Sequence, residues 1–327
     1  YFFRQQNRLL VMKRPCYINS FASIHPDGIT GEDGMLHAVE PDYKRIITNA
    51  NMRRRMSHIV RMGVACGLIC LEQSGNKNID AIITATGLGC LADTEKFLDN
   101  LIENEEQLLN PSAFIQSTFN VIGAQIALIT GSHSYNNTYV HRGLSFESAL
   151  IDGMMRIWEG DDQVLVGATD EVLPAGHTVL KRLGMLDNIT LGEGSQFFAL
   201  AAKKELHTVA ELLAVGTFTG KLSSEEILQK IKIFLTENNL KSIDIQHLIT
   251  GKNGNTTDDL VYNVVEQLFP STSYSTFKDI CGEYPTASAF GMWKGLNRLE
   301  KSGDIQYLLI YNHYYTVNHS LILLKKC

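Results

Sequence analysis

Short apolar strands that alternate with amphipathic helices are the feature that most limits how this chain can fold. Residues 79–86 read IDAIITAT and residues 164–168 read VLVGA. Short runs that are apolar at nearly every position are typical of parallel strands covered on both faces. Residues 145–158, which lie between these runs, carry apolar side chains at helical spacing. This alternation predicts an α/β fold whose sheets are covered on both sides.

The same order of elements returns in the second part of the chain. The predicted strands are residues 79–86, 164–168, 196–202, 209–217, 243–250, 305–312 and 320–324. The predicted helices are residues 94–105 with Asp93 as N-cap, 120–129, 145–158 ending at Gly160, 223–238 with a Ser223/Glu226 capping box, 256–268 and 286–299. No linker rich in Pro, Gly or Ser separates the two parts. We therefore predict one compact unit with an N-terminal extension at 1–14 and two similar halves, 15–190 and 191–327.

The composition excludes several other classes of protein. The hydrophobic fraction of 44% is too high for a disordered chain, and no uncharged run of 18 apolar residues suggests a transmembrane helix. The net charge of −6 argues against a general nucleic-acid binder. Six cysteines without a CxxC pair indicate neither a disulfide scaffold nor a zinc module. We predict free thiols, no metal and no cofactor.

The N-terminal residues and one basic run bear on location and partners. Residues 1–11 lack the apolar stretch and the cleavage site of a signal peptide, so we expect a cytoplasmic protein. Met12 followed by Lys13 and Arg14 has the form of a natural start. The three arginines at 53–55 form either a solvated face or a docking patch for an acidic partner.

Residues 147–171 contain the first of several motifs that occur in a fixed order. They read ESALIDGMMRIWEGDDQVLVGATDE, with a helix ending at Gly-Asp-Asp, a strand, and an acid three residues after Gly167. This resembles the segment after the nucleophile in β-ketoacyl synthases of the thiolase superfamily. Those proteins have a helix, Gly-Asp, and a strand ending in Gly-Gly-Ala-Glu. The upstream residues 119–127, FNVIGAQIA, are similar to the preceding helix of that family.

Three motifs of the second half follow in the order of that family. Residues 250–259, TGKNGNTTDD, stand where the family has His-Gly-Thr-Gly-Thr-Pro-x-x-Asp. Residues 278–283, KDICGE, stand where it has Lys-x-x-x-Gly-His, and residues 312–324, NHYYTVNHSLILL, resemble its closing strand pair. The resemblance spans about residues 75–327. It implies a thiolase-like fold with two pseudo-repeated halves and covered mixed sheets in a layered αβαβα arrangement.

The resemblance also implies a nucleophile, and this sequence has none at the matching position. In the family, a cysteine at the start of a buried helix takes the acyl chain as a thioester, activated by the helix N-terminus. Counting back from Gly160 by the family's helix length leads to Gly143. No cysteine lies between Cys90 and Cys281, so a small error in register does not change this result.

Two catalytic histidines of the family are also replaced. They assist decarboxylation of the malonyl unit and stabilise the thioester oxyanion. Their positions fall on Gly251 or its neighbours and on Glu283, while His247 lies four residues earlier in the predicted strand. We expect Glu283 to repel a malonyl carboxylate, and Lys252 to bring a hydrated charge to the oxyanion region. The residues retained from the family pattern are Lys278, Gly282 and Asp259.

A retained scaffold without these groups resembles the chain-length-factor type of ketosynthase homologue. Such subunits pair with an active ketosynthase and help to shape the tunnel that holds the growing chain. The resemblance therefore implies a heterodimer with a catalytic ketosynthase, or a homodimer, that works with an acyl carrier protein in fatty-acid, polyketide or polyene-type synthesis. We expect the strand near residues 132–141 to lie at the dimer edge.

Two other functions stay open on the sequence. One is an active acyltransferase or β-ketoacyl synthase with relocated chemistry, in which Ser145 or Cys281 works with His133 or His141. A helix cap, an inert buried thiol and loop histidines are the commoner roles of these residues. The other is a homodimeric acyl-binding protein with a repurposed pocket. Core and edge packing explains Tyr311, Tyr314 and Tyr315 without a ligand, and the absence of the family's Gly-rich pattern from this loop argues against a gate.

Overall fold

A ten-stranded mixed sheet runs through the protein, which is described here from a computed structural model for residues 14–75, 78–107 and 111–327. The predicted N-terminal extension, apart from Arg14, lies outside the described residues. The strands are β1 Tyr17–Ile24, β2 Ala81–Ala85, β3 Tyr135–Tyr139, β4 Gln163–Asp170, β5 Gly194–Ala201, β6 Ala210–Thr219, β7 His247–Thr250, β8 Ser273–Thr276, β9 Tyr307–Tyr314 and β10 Asn318–Lys326.

The strand order reveals an internal duplication. The order is β3-β2-β4-β5-β1 in the first half and, continuing from β1, β6-β10-β9-β7-β8 in the second. In each half a central strand pairs in parallel with two neighbours, and the remaining ladders are antiparallel. Between the halves, the ladder has only the pairs Tyr17↔Glu211 and Ile18↔Ala210. The two five-stranded sets are therefore nearly separate sheets that meet at one short seam.

Helices cover and separate the two sets of strands. They are α1 Tyr43–Ile46, α2 Ala50–Arg55, α3 His58–Ser74, α4 Leu91–Glu103, α5 Pro111–Gln116, α6 Val121–Thr130, α7 Ser145–Glu159, α8 Pro174–Arg182, α9 Ser224–Glu237, α10 Thr256–Glu266, α11 Lys278–Cys281 and α12 Ser288–Lys301. Core side chains of α7 and α12 pack with residues of both sheets. The outer faces pack against α3 and α6 in the first half and against α9 and α10 in the second. The predicted layered αβαβα arrangement is confirmed.

Local sequence signals explain several of these elements. The buried face of α7 contains Phe146, Ala149, Leu150 and Met154, as the spacing predicts, and the helix ends at Gly160, whose φ is 127°. The capping box at the start of α9 is also confirmed, because the Ser223 hydroxyl accepts from the Glu226 N–H and the Glu226 carboxylate accepts from the Ser223 N–H.

Two predicted element boundaries are wrong. Asp93 is not the N-cap of α4, because the helix begins at Leu91 and Asp93 lies in its first turn. The carboxylate of Glu171 instead accepts from a backbone N–H in the first turn of this helix, that of Ala92, at 3.0 Å. The strand predicted at residues 243–250 is shortened to β7, because a 3₁₀ turn, Ser242–Asp244, precedes it.

The pairing of β5 bears on the division into halves. β5 pairs with β1 and β4, both strands of the first half, along its length. Residues 194–201 thus belong to the same sheet half as residues 15–190. We propose that the division between the halves falls in the connection from β5 to β6, after the boundary at residues 190 and 191 that the sequence predicts.

Among the residues that the structure describes, no helix is long and apolar enough to cross a membrane.

Candidate functional site

The nucleophile position of the family pattern lies at the start of α7. A 3₁₀ turn, Arg142–Leu144, leads from the end of β3 into the helix, and Gly143 is buried. A Cβ atom built on Gly143 would lie 2.5 Å from Cβ and 2.6 Å from Cγ of Tyr314. These separations are too short for non-bonded carbon atoms, so Tyr314 leaves no space even for a methyl group. A cysteine side chain would not fit at this position unless Tyr314 moved.

The first histidine position lies at the end of β7. A Cβ atom on Gly251 would lie 2.6 Å from Oη of Tyr262 and would also collide with Oδ1 of Asn312. The Tyr262 hydroxyl donates to Oδ1 of Asn312 at 3.2 Å, so both groups are held in place. The Lys278 side chain is also adjacent, since its Cε would lie 3.1 Å from the same Cβ. A histidine at this position would require three buried side chains to move.

The second histidine position is part of a buried ion pair. Nζ of Lys278 lies 2.8 Å from Oε2 of Glu283, and both side chains are almost fully buried. Oε2 also accepts from the Asn253 side-chain amide at 2.9 Å, and Nζ of Lys278 donates to the His313 carbonyl at 3.1 Å. Burial raises the pKa of Glu283, while the Lys278 charge opposes that rise. Oε1 has no hydrogen-bond partner among the described residues.

The retained residues position the backbone around this pair. Oδ1 of Asp259 accepts from the Asn253 N–H at 3.1 Å, which holds the loop after β7 against α10. Gly282 has a φ of 77°, and a Cβ there would lie 2.6 Å from the Gly192 nitrogen, so glycine is required. The expectation for Lys252 is corrected, because its ammonium pairs with Glu266 at 2.7 Å instead of lying free at the site.

The alternative nucleophiles have structural partners. Oγ of Ser145 accepts from the His141 N–H at 2.7 Å and donates to the Arg142 carbonyl at 2.8 Å, so its hydroxyl stabilises the start of α7. The Cys281 thiol is buried and donates to the Gly282 carbonyl at 3.3 Å. Burial raises the pKa of this thiol, which disfavours the reactive thiolate.

The candidate histidines do not form a relay with these nucleophiles. His133 and His141 are exposed, and Nδ1 of His141 lies 3.4 Å from Oγ of Ser148. His247 lies at the start of β7, with its ring nitrogens 2.6 Å and 2.9 Å from the hydroxyls of Ser273 and Ser275 on β8. Burial, together with the charges of nearby cationic side chains, lowers the pKa of His247 to about 4. It is therefore a neutral core histidine at neutral pH.

One small cavity lies beside Glu283 and has a volume of about 70 Å³. Its walls are mainly apolar and come from α8, from the segments after β2, β4 and β9, from the residues just before β5 and from the connection between α11 and α12. Tyr314 and Tyr315 form part of the wall. Pockets for drug-sized ligands measure about 300–1,000 Å³, so this cavity is too small for an extended acyl chain.

The acid that follows Gly167 is a structural anchor. Asp170 is buried at the end of β4. Its Oδ1 accepts from the Thr86 hydroxyl at 2.9 Å and the Gly87 N–H at 2.8 Å, and its Oδ2 accepts from the Thr286 N–H and hydroxyl at 3.0 and 2.7 Å. Asp170 thereby joins the loop after β2 to the start of α12. Among the described residues, no group of three His, Cys, Asp or Glu side chains could hold a metal ion.

Several residues that define this site were not found from the sequence. Tyr314, Tyr262 and Asn312 fill the space beside Gly143 and Gly251, and their contacts join β9 to the start of α7 and to α10. The tyrosines of the closing loop were visible as a cluster in the sequence. Tyr314 lies 171 residues after Gly143, so the sequence gave no sign that the two residues are in contact.

The fold and the position of the site define a thiolase-like protein of the ketosynthase type. A family model described as "Beta-ketoacyl synthase, N-terminal domain" matches residues 36–215, which is more than half of the chain. The chain belongs to the β-ketoacyl synthase family. A search of curated protein sequences found no match.

Solved structures share the fold at low sequence identity. The ishigamide ketosynthase/chain length factor is 13% identical with a TM-score of 0.83, and the match covers 95% of this chain and 99% of that one. A structure described as a type II PKS acyl-carrier protein in complex with its ketosynthase bound to the hexaketide is 13% identical with a TM-score of 0.80. That match covers 97% of this chain and 100% of the other. A β-ketoacyl synthase from Burkholderia phymatum is 10% identical with a TM-score of 0.77, and the match covers 96% of this chain and 100% of that one. At these identities the matches establish the fold.

Proposed function

We propose that this chain is a non-catalytic ketosynthase-like subunit that pairs with an active β-ketoacyl synthase. The pair would work with an acyl carrier protein in fatty-acid, polyketide or polyene-type synthesis, in the cytoplasm. One observation carries the proposal. The sequence pattern assigns the three catalytic positions to Gly143, Gly251 and Glu283, and side chains of other residues fill the space beside both glycines.

The chemistry of condensation is unsupported at each step. No thiol is present at the start of α7 to form a thioester, and Tyr314 covers the place where one would form. In place of a neutral imidazole that could donate to an oxyanion, this chain has the buried Lys278–Glu283 pair. The Lys278 ammonium already donates to the His313 carbonyl. A partner must therefore supply the reacting groups.

The free edge of the first half of the sheet suits a dimer. β3 is the outermost strand of that half and is only partly buried. Large apolar side chains are exposed beside it, among them Phe119 (49% exposed), Leu128 (68%) and Val140 (42%). An unpaired strand edge next to exposed apolar groups is typical of a surface that pairs with another chain. The similarity in fold to a ketosynthase/chain length factor supports a ketosynthase as that chain.

A basic groove suits an acidic carrier partner. Arg54, Arg55 and Lys96 line a groove of about 340 Å³ whose lining includes one carboxylate, that of Asp93. The chain as a whole carries a net charge of −6, so the positive charge of this cluster is opposite in sign to the net charge of the protein. A docking patch was one of the two interpretations of the arginines at 53–55 from the sequence. We propose that the carrier protein binds here.

Co-expression with a candidate ketosynthase tests the pairing. We expect a stable one-to-one complex by size-exclusion chromatography with light scattering. Val140→Glu should weaken that complex at least tenfold, because it places a charge at the β3 edge. Ile243→Glu is the matched control, since Ile243 is 75% exposed in the other half of the chain. Equal loss of binding in both variants, or a homodimer that excludes the ketosynthase, would contradict heterodimer formation through β3.

Charge reversal at the basic groove tests the carrier protein separately. Arg54→Glu combined with Arg55→Glu should weaken carrier binding to the assembled pair at least tenfold, and the weakening should shrink as salt is raised. Lys230→Glu on α9 is a control cation in the second half. If the double variant binds the carrier as the wild type does, the carrier docks elsewhere.

A further inference from the structure

The basic groove between α2, α4, α5 and the start of α3 contains three cations that no carboxylate of the protein neutralises. Arg54, Arg55 and Lys96 line this groove of about 340 Å³, and none of them takes part in an ion pair among the described residues. A concave site of this size is large enough for a small metabolite. Three unpaired positive charges in one concave site attract an anion.

The N-terminus of α3 adds its dipole to the same groove. Ser57 is the N-cap of this 17-residue helix and lines the groove, but its side chain makes no capping hydrogen bond. Its Oγ is buried and has no hydrogen-bond partner within the part of the chain that the structure describes. An uncapped helix N-terminus presents backbone N–H groups and a partial positive charge, and both favour a phosphate.

A buried carboxylate in the wall of the groove requires a positive charge as well. Asp93 is only 7% exposed and lines the groove. Among the described residues it forms no ion pair, and its Oδ2 has no hydrogen-bond partner. A buried carboxylate without a cation is costly, and a bound ammonium group would offset that cost. A simple anion would leave the cost in place, whereas a ligand with both charges would remove it.

Contacts outside the groove hold its walls together. The Gln116 side-chain amide donates to the Arg55 carbonyl and joins α5 to α2. The rings of Phe97 and Phe114 pack with a centroid distance of 5.4 Å and join α4 to α5. The helices that carry the cations and the carboxylate are therefore fixed to one another, which lowers the entropic cost of binding a ligand.

We propose that this groove is a binding site for a small aminoalkyl phosphate. The phosphate monoester lies against the three cations and the N-terminus of α3, and the ammonium group lies beside Asp93. A phosphate is favoured over a carboxylate because its three terminal oxygens accept from several donors at once. The inference goes beyond the proposed function, because binding of this ligand requires neither a ketosynthase nor a carrier protein.

Calorimetric titration of the purified chain tests the ligand class. The probes are O-phosphoethanolamine, inorganic phosphate and β-alanine, which carries a carboxylate in place of the phosphate. We expect O-phosphoethanolamine to bind about tenfold more tightly than either of the others, because it alone supplies both a phosphate and an ammonium group. Its affinity should fall as salt is raised. Equally tight binding of inorganic phosphate or of β-alanine, or no binding of O-phosphoethanolamine, would overturn the proposal.

Two variants test the two ends of the ligand separately. Asp93→Asn should bind O-phosphoethanolamine and inorganic phosphate with equal affinity, because a neutral amide does not attract the ammonium group. Lys96→Met should weaken the binding of both probes about tenfold. Lys232→Met on α9 is the matched control and should bind as the wild type does, and thermal unfolding shows whether each variant is folded.

The contrary results are distinct from a failure of the carrier experiment. A preference for O-phosphoethanolamine that persists in Asp93→Asn, or equal losses in Lys96→Met and Lys232→Met, would contradict this arrangement of the ligand. These titrations use the chain alone, so their failure leaves the carrier experiment with Arg54→Glu and Arg55→Glu unaffected.

Discussion

Gly143 shows how closely the catalytic positions are packed. Its virtual Cβ overlaps three atoms of Tyr314, and the neighbouring Arg142 already has a positive φ of 49°. Returning a cysteine to this position would therefore require the closing hairpin to move. Gly143 and Tyr314 therefore form one packing unit.

Substitution of Gly143 by alanine tests this packing. We expect Gly143→Ala to lower the free energy of unfolding by about 1–3 kcal/mol, because the added methyl group overpacks a buried contact. Urea denaturation monitored by circular dichroism measures the change. Gly176→Ala is the matched control, since nothing lies within 4 Å of a Cβ there, and it should be neutral or slightly stabilising in α8. Similar behaviour of both variants would show that Tyr314 does not occupy the space.

The Lys278–Glu283 pair makes a second prediction at the residue scale. Lys278→Met should destabilise the fold by about 3–5 kcal/mol, because it leaves a carboxylate buried without its cation. The double variant Lys278→Met/Glu283→Leu should recover most of that loss, since no uncompensated charge remains. Urea unfolding of both single variants and the double variant gives the coupling energy. If the change in unfolding free energy of the double variant equals the sum of the two single changes, the two groups do not interact as described.

Residue-level reasoning from the sequence predicted the candidate positions and missed the side chains that fill the space beside them. Counting from Gly160 led to Gly143, which the structure places at the start of α7, and the motif order led to Gly251 and Glu283, which both adjoin Lys278. Lys252 was assigned to the oxyanion region, but it pairs with Glu266. Contacts between residues far apart in the chain depend on how the hairpin packs, and no local pattern records them.

At the scale of elements, the start of α3 is joined to the strand connections by an ionic contact. Nε2 of His58 lies 3.0 Å from Oε1 of the buried Glu193, and Nδ1 lies 2.7 Å from Oε1 of Glu40. Glu193 also accepts from the backbone N–H groups of Ala38 and Val172. The hydrogen bond to Glu193 is the main cause that raises the pKa of His58 to about 9.

This contact predicts a pH dependence of stability. Because the folded-state pKa of His58 lies above its usual value of about 6.5, the stabilisation is fully present below pH 6.5 and is lost as the pH rises through about 9. We expect the free energy of unfolding to fall between about pH 6.5 and pH 9.5, and His58→Gln to flatten that slope. His207→Gln is the control, at an exposed histidine paired with Glu205. An unchanged slope in His58→Gln would contradict the assignment.

Elements with strong local periodicity were predictable, and those defined by tertiary packing were not. The patterns at α7 and α9 had clear faces and ends, and the structure reproduces both. β1 and α3 were not predicted from the sequence. α3 is buried around much of its circumference against β1, β4 and β5, so its apolar residues do not form a single stripe. The short edge strand β8 was not predicted either, because it depends on pairing more than on composition.

At the scale of the whole molecule, the fold is duplicated and the candidate site between the halves is closely packed. Each half has the same strand order, and α7 and α12 lie between the halves where the motifs converge. Asp170 and Gly282 fix the backbone in this region.

Intact-mass spectrometry tests the central claim most directly. The chain and an active ketosynthase, purified separately, are each incubated with an acyl carrier protein that carries an octanoyl thioester. We predict that the ketosynthase gains one octanoyl group and that this chain keeps its unmodified mass. A stoichiometric octanoyl adduct on this chain, lost in Ser145→Ala or Cys281→Ala, would contradict the account and identify the chain as an active acyltransferase.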